Sequence, residues 1–234
     1  MKITEAIILA GGLGTRLRNE VPDLPKCMAD VGGKPFISYV VEHCISQGIQ
    51  RFVFALGYKS EQFESFLSRT LPAHSYTLSI EDEPLGTGGA VKLACGRLRS
   101  PSALVLNGDT LFRIELEMLS TFHRLNEAEC TLALKPMKDF DRYGVVELGP
   151  DNRIIHFHEK MHYSSGLING GVYCLEVARF LGLSLADKFS FEKDYLEKYF
   201  TSCPMYGLVQ DQYFIDIGIP EDYKRANTEL ITSI

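Results

Sequence analysis

The stretch that decides the fold is AIILAGGLGTRLR, residues 6–18. A short apolar run leads directly into three glycines and an arginine. The run is far shorter than the roughly 18–20 apolar residues of a membrane span. Glu5 lies in front of it, which argues against a signal peptide. We therefore interpret the run as a buried β-strand. The glycines allow backbone N–H groups to approach a phosphate closely, and Arg16 adds a fixed positive charge. We therefore predict a first strand that ends in an anion-binding loop.

Strand and helix patterns alternate after this segment, which favours an α/β fold. Strands are predicted over residues 5–10, 51–56, 76–80 and 103–107, and helices over 36–47, 61–71, 90–98 and 115–125. This alternation indicates a Rossmann-like, mostly parallel sheet flanked by helices, with ligands at the carboxyl ends of the strands. Beyond residue 128 the pattern changes to strands over 130–135, 145–148, 154–158 and 171–175, with helices near 191–200 and 221–230. We expect one domain over residues 1–234, with a nucleotide-binding half (1–128) and a mixed α/β lid (129–234).

Composition excludes several classes of function. The chain has 24 Lys and Arg against 30 Asp and Glu, a net charge of −6. A protein whose main partner is a nucleic acid carries a basic surface, so no nucleic-acid partner is expected. No apolar run is long enough for a membrane span. The six cysteines form no C-x-x-C pair, which predicts reduced thiols and a cytoplasmic location.

The first loop matches neither of two common phosphate-binding signatures. A dinucleotide fingerprint that starts at Gly12 requires a small residue at the position of Leu17. A P-loop requires Ser or Thr after its lysine, whereas Lys34 is followed by Pro35. A plain tight turn is the alternative. Lys26, after Pro25, supplies an ammonium suited to a triphosphate or a leaving pyrophosphate, although a solvated lysine is equally typical of such a position.

Three further motifs carry potential chemistry. EPLGTGGA, residues 83–90, offers glycines at the predicted start of a helix, where anions bind well, although a helix start without a ligand is an alternative. LNGDT, residues 106–110, places Asp109 at the end of an apolar strand, where a carboxylate suits Mg²⁺; a helix N-cap is the alternative. FIDIGIPEDY, residues 214–223, contains a further carboxylate, that of Asp216.

Residues 10–17 followed by Pro25 and Lys26 resemble the signature of the sugar-1-phosphate nucleotidyltransferases, and the later motifs follow in that family's order. The resemblance implies the nucleotide-diphospho-sugar transferase fold. It also implies that a nucleotidyl group passes from a nucleoside triphosphate to a sugar 1-phosphate, with release of pyrophosphate. The implied nucleotide contacts are Leu9, Ala10, Gly11, Gly12, Gly14, Thr15, Arg16, Lys26, Glu81, Pro84, Leu85, Gly86, Thr87, Gly88 and Gly108.

The same resemblance implies a catalytic set, a metal site and a sugar pocket. The catalytic residues are Arg16, Lys26, Asp109 and Lys160, and Mg²⁺ is held by Asp109 and Asp216. The sugar-phosphate contacts are Tyr143, Gly144, Glu159, Lys160, Asn169 and Gly171. Structural alternatives stand beside these roles, because a Glu-Lys pair is commonly a surface ion pair and Gly-Gly often marks a strand irregularity. Residues 189–195 either touch the sugar or pack under the lid.

Glu81 bears on the choice of base. A carboxylate only accepts hydrogen bonds, so it suits the N–H donors of guanine better than the mixed edge of uracil or thymine. A solvated acidic turn over residues 81–83 is the alternative. Together with Glu81, the resemblance implies a guanylyltransferase acting on a manno-configured heptose 1-phosphate, for lipopolysaccharide or capsule synthesis. Mannose-1-phosphate guanylyl transfer and uridylyl or thymidylyl transfer to N-acetylmuramate or glucose 1-phosphate remain open.

Two other classes of protein also remain open. A sensor that binds a sugar nucleotide would keep the loops without needing the carboxylates at 109 and 216. A retaining glycosyltransferase would normally carry an Asp-x-Asp metal motif, whereas Asn107 and Gly108 precede Asp109. The sequence is compatible with a homo-oligomer.

Overall fold

The fold was analysed in a computed structural model that describes residues 2–12, 25–57, 61–72 and 75–231. The strands are β1 (Glu5–Leu9), β2 (Asp30–Val31), β3 (Lys34–Pro35), β4 (Arg51–Leu56), β5 (Tyr76–Ile80), β6 (Ser102–Asn107), β7 (Thr110–Phe112), β8 (Cys130–Phe140), β9 (Val146–Leu148), β10 (Ile154–Phe157), β11 (Tyr163–Glu176), β12 (Met205–Val209) and β13 (Phe214–Asp216). The helices are α1 (Phe36–Ser46), α2 (Glu61–Thr70), α3 (Gly86–Cys95), α4 (Leu116–Leu125), α5 (Val177–Leu181), α6 (Glu197–Tyr199) and α7 (Pro220–Glu229). A 3₁₀ turn covers Lys26–Met28, and a π-helical turn covers Phe191–Leu196.

The central sheet of the described residues has seven strands in the order β12-β8-β11-β6-β1-β4-β5. Strands β6, β1, β4 and β5 are parallel to one another, as are β8 and β12. Strand β11 is antiparallel to both of its neighbours, β6 and β8. The predicted mostly parallel sheet is therefore confirmed, and its strands come from both sides of residue 128.

Successive residues of the central strands enter two different cores, one on each face of the sheet. Ile7 belongs to one buried cluster and Ile8 to the other, and both are completely buried. Because side chains alternate across a strand, a continuous apolar run is what a strand covered on both faces requires. Burying each such side chain contributes about 1.5–3 kcal/mol.

Helix α3 and strands β8 and β11 differ in extent from the prediction, and β8 continues to Phe140 rather than ending at residue 135. Helix α3 begins at Gly86 rather than at residue 90, because tertiary contacts with Phe189 support its glycine-rich first turn despite the low helix propensity of glycine. Strand β11 begins at Tyr163 rather than at residue 171, and its register against β8 shifts between Asn169 and Tyr173. The shift matches the strand irregularity considered for the Gly-Gly pair.

Among the described residues, no helix is both long and apolar enough to cross a bilayer. All six cysteines are free and buried. Burial raises the pKa of the Cys44 and Cys95 thiols to about 12, so both stay protonated at neutral pH.

Candidate active site

A cavity of about 310 Å³ opens where β1, β4 and β6 end. This is the edge at which a parallel sheet binds its ligands, because the loops diverge there. The predicted nucleotide contacts that line it are Leu9, Ala10, Gly11, Gly12, Lys26, Glu81, Pro84, Gly86 and Thr87, and Asp109 lines it as well. Most of the residues predicted to contact a nucleotide therefore lie around one cavity.

Some predicted nucleotide contacts do not line this cavity. Gly14, Thr15 and Arg16 lie outside the described residues. The N–H groups of Leu85, Gly88 and Gly108 donate to Glu81, Phe189 and Leu9, respectively. These three residues are not among those that line the cavity, and their N–H groups already have acceptors within the protein.

Gly88 has a packing role instead. A Cβ atom there would stand 2.2 Å from Cε2 of Phe189, so only glycine allows this close approach. Its N–H donates to the Phe189 carbonyl at 2.9 Å. Gly88 therefore makes room for the aromatic ring, whereas its contact with a nucleotide stays a prediction.

Glu81 follows β5 and lines the first cavity. Its Oε2 atom accepts the N–H of Leu85 at 2.8 Å, just before α3 begins. This bond engages one carboxylate oxygen of a residue that lines the cavity. The solvated acidic turn describes Asp82 and Glu83, which are exposed, but not the half-buried Glu81.

A second cavity of about 400 Å³ lies beside the first. All of the predicted sugar-phosphate contacts line it, namely Tyr143, Gly144, Glu159, Lys160, Asn169 and Gly171. Gly144 lies against the His158 carbonyl, which a Cβ atom would approach to 2.4 Å. The residues from three separate segments of the second half therefore converge as the sequence predicts.

The contacts within this second cavity refine individual roles. Glu159 forms an ion pair with Lys193 at 3.0 Å rather than with the adjacent Lys160. Asn169 donates to the hydroxyl of Tyr173 and accepts the N–H of Gly171, which locks its amide against β11. Gly171 has φ of +70°, a conformation that glycine adopts without strain. The locked amide leaves one N–H and one lone pair of Asn169 for a ligand.

The two predicted metal carboxylates meet between the cavities. Strand β13 pairs with β7 so that Asp216 is opposite Thr110, next to Asp109. The Lys26 ammonium lies 2.6 Å from Oδ2 of Asp109 and 3.4 Å from Oδ1 of Asp216. Asp109 lines the first cavity and Asp216 the second, so the three charged groups mark the boundary between them.

This carboxylate pair fits a magnesium ion that is completed by substrate. The donors are oxygen atoms only, and Mg²⁺ is commonly held by one or two carboxylates together with substrate phosphates and water. Within the part of the chain that the structure describes, no group of three or more His, Cys, Asp or Glu could hold a metal by itself. Asp109 and Asp216 therefore suit an ion that arrives with phosphate.

Neighbouring donors hold Asp216 in place. The N–H of Gly218 donates to Oδ1 at 2.7 Å, and the hydroxyl of Tyr143 donates to Oδ2 at 3.3 Å. Burial, together with the Asp216 charge, raises the pKa of Tyr143 well above its usual range, so its hydroxyl stays protonated as a donor. Arg142 lies 3.8 Å from Oδ2 and pairs with Asp222.

Two residues absent from the predicted site line both cavities, Asn107 and Glu192. Asn107 ends β6 two residues before Asp109, so the position of the LNGDT motif could have indicated it. Glu192 lies in the segment considered for sugar contact. Its carboxylate accepts hydrogen bonds from Thr87 and Ser190.

The sequence profile of the family described as "Nucleotidyl transferase" matches residues 5–233. The chain belongs to the nucleotidyl transferase family. The match covers both cavities of this nucleotidyl transferase and the carboxylate pair between them.

Two relatives of this nucleotidyl transferase carry the same name. A D-glycero-alpha-D-manno-heptose 1-phosphate guanylyltransferase from Aneurinibacillus thermoaerophilus is 49% identical over 97% of this chain and 98% of its own. A protein of the same name from Campylobacter jejuni is 44% identical over 94% of this chain and 96% of its own. The crystal structure of HddC from Yersinia pseudotuberculosis complexed with GMP-PN superposes on this nucleotidyl transferase with a TM-score of 0.87, at 36% identity, covering 97% of this chain and 100% of that one.

Proposed function

We propose that the protein transfers the guanylyl group of GTP to D-glycero-α-D-manno-heptose 1-phosphate and releases pyrophosphate. One observation carries this proposal: two adjacent cavities border each other at the charged groups of Lys26, Asp109 and Asp216. One cavity suits a nucleotide and the other a polyhydroxylated sugar, and the charged groups stand where two phosphates would meet. The names of the 49% and 44% identical relatives support the choice of base and sugar.

The reaction is an in-line attack by a sugar phosphate oxygen on the α-phosphorus of GTP. The P–O bond to pyrophosphate breaks as the new P–O bond forms, so no covalent enzyme intermediate is needed. With a second phosphate pKa of about 6, the attacking group is already ionised at neutral pH. The protein therefore contributes positioning and compensation of charge rather than a general base.

Each charged residue has a task in this scheme. Lys26, together with Arg16 of the loop outside the described residues, stabilises the phosphates of GTP and the leaving pyrophosphate. Lys160, which lines the second cavity and has no ion-pair partner among the described residues, orients the attacking phosphate. Asp109 and Asp216 would hold Mg²⁺, which would offset phosphate charge.

Recognition of guanine rests on Glu81. The N–H of Leu85 engages one carboxylate oxygen, and the other would accept hydrogen bonds from a base edge that carries donors. Guanine presents two adjacent N–H donors there, whereas uracil and thymine present a donor flanked by acceptors. The geometry therefore favours GTP over UTP and dTTP.

The sugar is the finer part of the proposal. Tyr143, Gly144, Glu159, Asn169 and Gly171 surround the cavity with groups that suit hydroxyls. The mannose analogue is the second candidate, because mannose-1-phosphate guanylyltransferases from several organisms, such as one from Mycobacterium tuberculosis that is 32% identical over 98% of this chain, also match it. The buried, free cysteines and the need for GTP favour a cytoplasmic location, where the product would serve lipopolysaccharide or capsule synthesis.

Pyrophosphate release tests the function directly. GTP, UTP, dTTP, CTP and ATP are each supplied with Mg²⁺ and with the 1-phosphates of manno-configured heptose, mannose, glucose and N-acetylmuramate. We expect release with GTP and the heptose phosphate, and none from an Asp109→Asn variant. Release only with UTP or dTTP would overturn the choice of base. Binding without any release would favour a sensor, and a product lacking the nucleotidyl group would favour a glycosyltransferase.

A further inference from the structure

Lys26 occupies the position between the two carboxylates that the proposed function gives to a magnesium ion. Its ammonium is within 2.6 Å of Asp109 and 3.4 Å of Asp216. The Lys26 side chain is only 14% exposed, and the two aspartates are 34% and 20% exposed. Such partly buried contacts between opposite charges are much stronger than surface ion pairs. In the absence of nucleotide, the positive charge at these carboxylates is therefore supplied by the protein.

The backbone around Lys26 is anchored so that the ammonium reaches this position. Lys26 begins a 3₁₀ turn, and the next two residues, Cys27 and Met28, are buried in the core. Gly218, on the opposite side, leaves space for the ammonium, since a Cβ atom there would stand 3.0 Å from Nζ. Both sides of the contact are therefore shaped for a lysine that lies between the aspartates.

The carboxylates do not depend on Lys26 for their orientation. Asp216 accepts hydrogen bonds from the N–H of Gly218 and from the hydroxyl of Tyr143. Asp109 accepts one from the hydroxyl of Thr110 at 3.3 Å. These donors belong to residues other than Lys26, so they remain when the ammonium leaves. The site can therefore exchange one cation for another without being rebuilt.

We propose that Lys26 is the resident cation of Asp109 and Asp216 in the nucleotide-free protein, and that it excludes a divalent ion until nucleotide phosphates draw it away. An ammonium and a divalent ion cannot share the same carboxylate oxygens, because like charges repel strongly at contact distance. The inference rests on the proposed function, since GTP supplies the phosphates that compete for Lys26. Its consequence is an order of events in which the metal enters with the nucleotide and not before it.

Binding of Mn²⁺ to the nucleotide-free protein tests this proposal without any turnover. Free Mn²⁺ is measured by electron paramagnetic resonance for wild type and for Lys26→Met, which keeps the length of the side chain and removes its charge. We expect the dissociation constant of the variant to be at least about tenfold lower than that of wild type. Lys26→Gln replaces Lys26→Met if circular dichroism shows that the latter is unfolded.

Three further proteins locate the effect. Lys2→Met removes the same charge at the opposite end of β1, where Lys2 pairs with Glu117, and should bind Mn²⁺ as wild type does. Lys26→Arg keeps the charge and should also bind as wild type does. Adding Asp216→Asn to Lys26→Met should abolish the increase in Mn²⁺ affinity, because that increase requires both carboxylates.

The outcomes separate this inference from the proposed function. Equal Mn²⁺ affinity in wild type and Lys26→Met, or a gain in Lys26→Arg as large as in Lys26→Met, would overturn the role of Lys26 alone. If no protein bound Mn²⁺ even with a non-hydrolysable GTP analogue present, the metal site of the proposed function would fall as well.

Discussion

The Thr87 hydroxyl donates to the Glu192 carboxylate at 2.8 Å and accepts the N–H of Phe191 at 2.9 Å. Thr87 lines the nucleotide cavity at the start of α3, whereas Glu192 lines both cavities. One hydroxyl thus joins the nucleotide loop to the turn that borders the sugar cavity.

The Thr87→Val variant should weaken the binding of both substrates. It removes both hydrogen bonds and leaves the N–H of Phe191 without its acceptor, at a cost of about 1–2 kcal/mol. Steady-state kinetics should show a rise in KM of roughly tenfold for GTP and for the sugar phosphate. Thr70→Val is the matched control, because Thr70 makes only a local bond within the exposed end of α2. A rise confined to GTP would refute the link between the sites.

The Glu81→Gln variant should relax the preference for GTP. The amide oxygen can still accept the N–H of Leu85, but an NH₂ group replaces the free carboxylate oxygen that faces the base. The ratio of kcat/KM for GTP to that for UTP should fall by at least about tenfold. The exposed neighbour Glu83, changed to Gln, should leave this ratio as in wild type. An unchanged ratio in Glu81→Gln would remove Glu81 from base recognition.

The Asp109→Asn variant should lose nearly all Mg²⁺-dependent turnover. It removes a negative charge both from the metal pair and from the contact with Lys26. Pyrophosphate release should fall by at least about a hundredfold. Asp187→Asn, which neutralises a 93% exposed side chain, should retain wild-type turnover. Turnover above one tenth of wild type would show that Asp109 is not a metal ligand.

The Gly88→Ala variant should destabilise the protein. Its Cβ would overlap the buried Phe189 ring, so α3 or the ring must move. Urea unfolding should show a loss of about 1–3 kcal/mol in the free energy of unfolding. Gly96→Ala, just beyond the end of the same helix, should change it by no more than about 0.5 kcal/mol, because φ is −64° and the nearest atom is 3.4 Å away. Equal stability of the two variants would contradict the packing role.

His123 should make stability depend on pH. Burial lowers its pKa to about 4, with the Arg179 charge as a smaller cause, and within the described residues its Nε2 atom has no hydrogen-bond partner. The unfolded chain takes up the proton near pH 6.5 and the folded chain only near pH 4. Stability is therefore full above about pH 6.5 and falls as the pH decreases toward 4.

Urea unfolding measures this dependence. Lowering the pH from 7 to 5 should reduce the free energy of unfolding by about 2 kcal/mol through His123. The His123→Gln variant should lose that part of the pH dependence. A slope that persists in His123→Gln would show that other groups cause it.

Local pattern was sufficient to predict most of the fold. The apolar runs of β1 and β4 are continuous, so their extent is visible in the sequence. Most of β11 was missed, since Ser164, Ser165 and Gly166 interrupt the pattern and the strand is held by β8 instead. Propensity is local, whereas sheet pairing depends on residues far away in the chain.

The site was predictable where a motif carries it. The order of the motifs was sufficient to predict that Asp109 and Asp216 lie close together. The β7–β13 pairing that brings them together could not be predicted from either segment alone. The task of Gly88 was missed for a related reason. A glycine in the sequence indicates that another group approaches the backbone closely, but only the fold identifies that group as the Phe189 ring.

Strand β11 has a consequence for how substrate choice can change in this family. It carries Asn169 and Gly171 at the sugar cavity and continues as a central strand between β6 and β8. The floor of that cavity is thus part of the core, and altering it would cost stability. The walls, which come from the β9–β10 hairpin and the turn at Phe191–Leu196, lie outside the sheet. New sugar preferences should therefore arise in the walls, while the floor stays constant.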